Sequence, residues 1–442
     1  MHTIHTIPEA DAFFASLPEG FDTPQDFAAA LTPAGSEAPV GYIPVAGTAG
    51  RTAAAALTAG ILTAAGFRTG LYRAGAGPLS GRVTVDGQPL SGHPAAAAAY
   101  AAAASRILEE TLLNRPAAEL AAACACFAAA GCAFAVVEAV DGALASALPA
   151  VPVCAVTHIG PDGSGRTIER LAHDAAGVMR AGAVCVTAPG QPKAALTEII
   201  VAAGKTGCEL VVPEEEDITF PDEGEGKVDY GGYDLPAAFT GYHAACNAAV
   251  AVELALALWR KGRDIPDEAI LTALAAAENR SSIRVLSRQP LVILDACRTP
   301  QQAAALLRVL RLSGLQGLNA VVGLASEAGA EEFFSTLENG LLPGEAAKDK
   351  DAMPGMGEGG PIERLFLAAP PSLTGEDPGL PGRLAELARF HFEAAACGSL
   401  AEALAEARAA GGRGVLVCGS EELALAAEKL LREENSPLDT VH

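Results

Sequence analysis

The chain has 442 residues, 50% of them hydrophobic and 19% charged, which argues against a disordered chain and against a single ordinary core. A formal net charge of −23 argues against nucleic acid and anionic membrane as partners, because both are held by Lys/Arg patches. With aromatics at only 5%, the core must be built largely from Ala, Leu and Val.

The first residues, MHTIHTIPEADAFF, lack a basic stretch followed by an apolar one, so no signal peptide is expected. Ala10 to Leu17 reads as an amphipathic entry helix, followed by a polar connection to about Ala38. Gly41 to Gly66 then organises the chain: a short buried strand (Tyr42 to Val45), a glycine turn (Gly47 to Gly50) and a helix from about Thr52. Strand, glycine loop and helix in that order form a phosphate cradle, because small residues let backbone N–H groups and the helix N-terminus face an anion. The phosphate-loop pattern asks for Lys before the hydroxyl residue, whereas this chain has Arg51 before Thr52, and Val45 where the first glycine would be. A tight strand-to-helix turn without a ligand is the alternative reading of Gly47 to Thr52.

Gly70 to Pro94 reads as a glycine-rich surface loop with one strand or hairpin at Arg82 to Val85. Helices are expected at Ala95 to Leu113 and Ala117 to Ala130, and buried strands at Phe134 to Glu138 and Val151 to Ile159. Leu120 to Val137 is the one membrane-like stretch, but Gly131 interrupts it and Glu119 and Glu138 flank it, so helix, turn and strand explain it better than a span. A helix at Thr167 to Arg180, a strand at Ala183 to Thr187, a helix at Lys193 to Thr206 and a strand at Glu209 to Val212 follow. Glu214 to Gly232 reads as acidic ribbon or loop, with Glu214 to Asp217 a solvated charge run. His243 to Arg260 and Pro266 to Ala277 read as helices.

Ser282 to Leu286 and Leu291 to Leu294 bracket a domain junction, after which the alternation restarts. Helices are expected at Gln301 to Leu312, Ala330 to Leu337, Leu380 to Ala388, Leu400 to Ala409 and Glu421 to Glu433. Strands are expected at Asn319 to Gly323, Arg364 to Ala369 and Gly414 to Cys418, and Asn339 to Gly360 reads as a long flexible segment. Buried strands alternating with helices in both halves imply an α/β fold with mainly parallel sheets. The ten cysteines sit inside apolar runs without paired C-x-x-C spacing, and read as buried free thiols rather than zinc ligands. That usage suits a reducing cytoplasm.

The order of these pieces resembles folylpolyglutamate synthase and dihydrofolate synthase, members of the Mur ligase superfamily. The resemblance is carried by VAGTAGRT with ILTAAGFRTGLY after it, PAAEL, AVVEAVDG, VTHIGPDG, TIERLAHDAAGVMRAG, GYHAACNAA, IRVLSRQPLVILDACRTP and VLVCGS, in that order and at nearly the family's spacing over almost the whole chain. It implies a phosphate-loop central domain with a parallel sheet over residues 1–288, and a smaller Rossmann-like C-terminal domain over 289–442. It also implies ATP and Mg2+ as cofactors. The family joins glutamate to a folate carboxylate: ATP phosphorylates the carboxylate, and the glutamate amine attacks the acyl phosphate.

Carried over residue by residue, the resemblance assigns Gly47, Thr48, Gly50, Arg51 and Thr52 to the nucleotide, with Thr52 also a magnesium ligand. Glu138 matches the metal-binding glutamate, Asp162 the aspartate of the next strand end and Asn247 the adenine-side asparagine. Asp295 opens the C-terminal nucleotide contact. Glu138 and Asp162 read either as a shared cation site or as a pair of solvated strand ends. Arg298 is either a cation facing the phosphates or a surface arginine. His158 and His243 read as core histidines.

Other positions depart from the family. Arg51 replaces the loop lysine, Gly163 a histidine and Ala175 the lysine that forms a carbamate. Ala244 replaces a glutamine, Ser282 an arginine, and Arg298 and Thr299 a histidine and an asparagine. Arg73-Ala74-Gly75 replaces Ser-Pro-His. Removal of cationic and metal-binding groups from one site, with the apolar framework kept, is the pattern of a degenerate enzyme. Two functions therefore compete. One is a catalytically impaired paralogue retaining nucleotide or small-acid binding, with an active ligase as a possible partner. The other is an active ATP-dependent amide ligase, on folate or another carboxylate, with rebuilt phosphate chemistry.

Overall fold

The computed structural model describes residues 4–20, 22–31, 40–75, 77–110, 113–162, 164–219, 228–235, 242–277, 283–312, 314–340 and 360–435. The chain divides into two compact units, Met1–Gly160 with Thr167–Glu278, and Pro161–Arg166 with Asn279–His442.

The first unit opens with α1 (Ile7–Ser16), α2 (Pro24–Ala30), β1 (Gly41–Ala46), α3 (Arg51–Ala64), β2 (Thr69–Tyr72), β3 (Val83–Val85) and β4 (Gln88–Pro89). It continues through α4 (Pro94–Glu110), α5 (Arg115–Ala129), β5 (Phe134–Glu138), α6 (Gly142–Ala145), β6 (Val153–Val156), α7 (Ile168–Ala176), β7 (Val184–Thr187), α8 (Lys193–Thr206) and β8 (Glu209–Val211). The small strands β9 (Ile218–Thr219), β10 (Val228–Tyr230) and β11 (Tyr233–Leu235) precede α9 (Tyr242–Arg260) and α10 (Asp267–Ala276). Eight strands form one sheet in the order β4-β3-β2-β5-β1-β6-β7-β8, parallel from β2 to β8, with β3 and β4 added antiparallel at one edge.

Strand periodicity divides the apolar residues between two cores. Tyr42 and Ala46 of β1 pack with Phe14, Tyr100 and Phe127 of α1, α4 and α5 on one face. Ile43 and Val45 face Ile61 of α3 and Val252 of α9 on the other. Burial on both faces explains why these strands read as unbroken apolar runs.

The second unit contains β12 (Arg284–Arg288), β13 (Leu291–Leu294), α11 (Pro300–Leu312), β14 (Leu318–Val322), α12 (Ala330–Asn339) and β15 (Ile362–Leu367). It closes with α13 (Leu380–Ala388), β16 (Glu393–Ala396), α14 (Leu400–Ala409), β17 (Gly414–Cys418) and α15 (Glu421–Asn435). Its six-stranded sheet runs β12-β13-β17-β14-β15-β16, all parallel except the edge strand β12. Because β12 pairs with β13, residues 284–288 hydrogen-bond inside the second unit, on the other side of the division expected at 288/289.

Several elements differ from the sequence expectation. The polar connection contains α2, started by Thr23 and Asp26 in a reciprocal cap. Thr69–Tyr72 is a full strand of the large sheet rather than loop, because Gly70 leaves the space that Phe127 of α5 fills. The strand expected at Val151 to Ile159 shortens to β6, since Thr157 to Gly160 turn to meet the glycine loop. Glu393–Ala396 pairs as an edge strand although its Ala run carries little strand propensity. Residues 341–359, most of the expected flexible segment, lie outside the described residues, as do Gly163, Ser282 and the side chain of His243.

The membrane-like stretch Leu120 to Val137 is the end of α5, a turn at Gly131 and β5. No described helix is long and apolar enough to cross a membrane. All ten cysteines are buried free thiols, and burial pushes Cys124 and Cys132 up to about 12, which disfavours thiolate chemistry.

Candidate functional site

In the first unit the chain leaves β5 on one side of β1 and enters β6 on the other. Such a reversal opens a crevice outside the carboxyl ends of the strands. The register aligns Val45 with Glu138 and Ala46 with Val156, so the loop after β1, the end of β5 and the end of β6 meet there.

The loop is held by close approach. Gly47 has φ +131°, and a Cβ on it would lie 2.9 Å from the Thr157 carbonyl oxygen and closer still to its hydroxyl. Gly50 has φ +84°, and a Cβ there would lie 2.8 Å from Cγ of Asn247 and closer still to its Oδ1. Both positions need glycine for conformation and for space. Asn247, half-buried on α9, thus packs on the loop. The Thr48 and Ala49 amides donate to the His158 carbonyl at 3.2 and 3.1 Å, and the Thr48 hydroxyl accepts from the Gly160 amide at 2.7 Å. Two N–H groups that a phosphate cradle would aim at its ligand are therefore committed to the protein.

Glu138, 3% exposed, ends β5 with an Oε1 that has no hydrogen-bond partner. Burial pushes its carboxyl up to about 7, against the pull of Arg51, the Thr52 hydroxyl, Arg73 and the Ala74 amide. Beside it lies a buried network that sequence reasoning missed. Arg82 of the β3 edge pairs with Glu119 of α5 at 2.5 Å, both side chains 9% exposed, and the Tyr72 hydroxyl donates to Glu119 at 3.5 Å. Burial lowers the Arg82 pKa, but Glu119 more than offsets this and leaves it raised. Arg82 also donates to the Arg73 carbonyl at 3.1 Å, while the Arg73 amide donates to the Arg82 carbonyl at 2.9 Å. The available signal was charge inside apolar runs, Glu119 among alanines and Arg82 before VTV, since such residues are rarely buried unless paired.

Ala175 is buried on α7 among Leu171, Ala172 and Ala176, an apolar patch with no charge at that position. As magnesium donors the first unit supplies two side-chain oxygens, and magnesium at such a site takes its other ligands from waters and substrate phosphates. Glu138 offers one bare oxygen and Thr52 one hydroxyl, beside the charges of Arg51 and Arg73. Among the described residues no group of three or more His, Cys, Asp or Glu side chains could hold a metal ion.

The remaining candidates belong to the second unit. Asp162 accepts from the Ser164 amide at 3.0 Å and hydroxyl at 2.5 Å on Oδ1, and pairs with Arg166 at 2.8 Å through Oδ2. Burial raises its pKa, but the Ser164 bonds and Arg166 prevail and hold it below the usual value. Both oxygens are engaged.

Asp295, just after β13, donates its amide to Val417 at 2.9 Å and accepts the Cys297 amide at 2.7 Å. The recess it lines with Arg284, Ala296 and Glu421 offers about 10 Å³, roughly one water's room. Arg298 is exposed at the start of α11, where its amide donates to Gln302. Burial pushes Asp295 up to about 6, so the folded chain keeps a proton that the unfolded chain loses nearer pH 4. Its contribution is fully present below pH ~4 and fades as pH rises through ~6. Asp295→Asn is therefore expected to gain roughly 1–3 kcal/mol relative to the parent between those values, measured by urea unfolding across the range.

No family model matches the chain, and a search of the curated proteins returns no match. Solved structures do match. Escherichia coli FolC in complex with DHPP and ADP superposes with TM-score 0.77 at 20% identity, covering 99% of this chain and 100% of that one. Mycobacterium tuberculosis folylpolyglutamate synthase with ADP and AMPPCP gives 0.76 at 19%, covering 97% and 99%. The bifunctional folylpolyglutamate synthase/dihydrofolate synthase of Yersinia pestis with AMPPNP and Mn ion gives 0.74 at 22%, covering 98% and 99%. The chain has the α/β fold of folylpolyglutamate synthases.

Proposed function

We propose that this chain is a folylpolyglutamate-synthase-fold protein that binds a nucleotide or small carboxylic acid at the glycine loop but does not ligate glutamate. The observation that carries this reading is the turning of the Thr48 and Ala49 amides onto the His158 carbonyl. Phosphoryl transfer depends on preorganised donors and cations around the moving charge, and this loop lacks two such donors and the lysine that Arg51 replaces. Solved relatives of the fold with ADP, AMPPCP and AMPPNP support a nucleotide as the ligand class. The acidic surface and buried thiols support a cytoplasmic location, and a catalytically active ligase as partner belongs to the same reading.

A second reading, an active amide ligase with rebuilt phosphate chemistry, is favoured by the bare Glu138 oxygen beside Thr52. A ligand panel read by melting temperature tests for binding. A nucleotide at a hundred times its Kd should stabilise the fold by about 2.7 kcal/mol, a rise of several degrees. No rise with ATP, ADP, folate or dihydrofolate at millimolar concentration would remove the binding half of the proposal.

A further inference from the structure

We infer that the buried Arg82–Glu119 pair positions the ligand site: the Arg82 guanidinium fixes the turn after β2, so that the Ala74 amide meets Glu138 beside the glycine loop. The inference rests on the nucleotide-binding reading above and deepens it, by naming a residue outside the loop that sets its affinity. The sheet register brings the pieces together. Tyr72 of β2 aligns with Val137 of β5, and Val45 of β1 aligns with Glu138, so the chain leaving β2 and the glycine loop leaving β1 flank the end of β5. Glu138 ties the two, accepting from the Ala74 amide on one side and from the Thr52 hydroxyl on the other.

Arg73 and Arg82 brace each other. Arg82 donates through Nη1 to the Arg73 carbonyl at 3.1 Å and through Nε to the Gly77 carbonyl at 3.3 Å. In return the Arg73 amide donates to the Arg82 carbonyl at 2.9 Å, and the Arg73 guanidinium donates to the Gly81 carbonyl at 3.2 Å. Glu119 of α5 holds the third Arg82 nitrogen, Nη2, at 2.5 Å. A Cβ at Gly75 or Gly77 would meet nothing within 4 Å, so side-chain packing does not hold the turn at those positions. The guanidinium bonds do. A buried ion pair is a weak source of stability compared with an apolar pair of similar volume. What an apolar pair cannot supply is donors to two backbone carbonyls, and a satisfied buried network specifies one arrangement of the groups around it. A site already held in its binding conformation avoids the ordering cost when a ligand arrives.

The test is calorimetric titration of the full chain with ADP and magnesium, on the parent, Arg82→Met/Glu119→Leu and Arg82→Lys, with urea unfolding of each in parallel. The double variant is expected to keep most of the parent's stability, so a weaker ADP affinity in it is not a loss of fold. The inference expects that affinity to fall about tenfold. Arg82→Lys, which keeps a cation for Glu119 without the planar fork, should fall between the double variant and the parent. If the double variant does not fold, Arg82→Lys decides by itself. Parent-like affinity in a folded variant of either kind would overturn the inference while leaving the nucleotide reading intact. No ADP binding by the parent would overturn the nucleotide reading, and the inference with it.

Discussion

Glu119→Ala is expected to lower the unfolding free energy by about 3–5 kcal/mol, because it strands the Arg82 guanidinium in the interior without its anion. Arg82 is 8% exposed and Glu119 7%, so water cannot replace the lost partner. The loss extends to the backbone, since Arg82 also holds the Gly77 and Arg73 carbonyls. Urea unfolding should show the midpoint falling with an unchanged slope. The double variant Arg82→Met/Glu119→Leu should recover most of the loss, because a well-packed apolar pair can replace a buried ion pair. A loss below 1 kcal/mol in the single variant would mean that water or another group reaches Arg82.

Gly47→Ala is expected to cost about 2–5 kcal/mol, combining a backbone conformation hostile to side chains with overpacking. The added carbon would meet Thr157 at the end of β6, and relief requires pulling the loop from the His158 carbonyl. Gly75→Ala is the matching control: its φ is +139°, but a Cβ there meets nothing within 4 Å. It should show the conformational part alone, about 1 kcal/mol. Equal losses for the two variants would show that the contact with Thr157 adds nothing.

The strand-loop-helix order around Gly47 to Thr52 was legible because glycine spacing and apolar runs are local signals, and so were β5 and α8 at their observed ends. Strand β2 was hidden because its place depends on Phe127, more than fifty residues away, filling the side of Gly70. The site divided in the same way. Residue types at 51, 138 and 247 could be read from order and resemblance. That the Thr48 and Ala49 amides turn inward, and that Ser164 and Arg166 engage Asp162, are facts of conformation that residue spacing does not encode. The Arg82–Glu119 pair joins residues 37 apart, and neither is unusual until both are seen buried.

Glutamate-dependent release of phosphate from ATP, measured with the purified chain in magnesium and a folate acceptor, tests the central claim most directly. The account predicts release no faster than without the protein. Release that requires both glutamate and folate, with a glutamylated product, would contradict it.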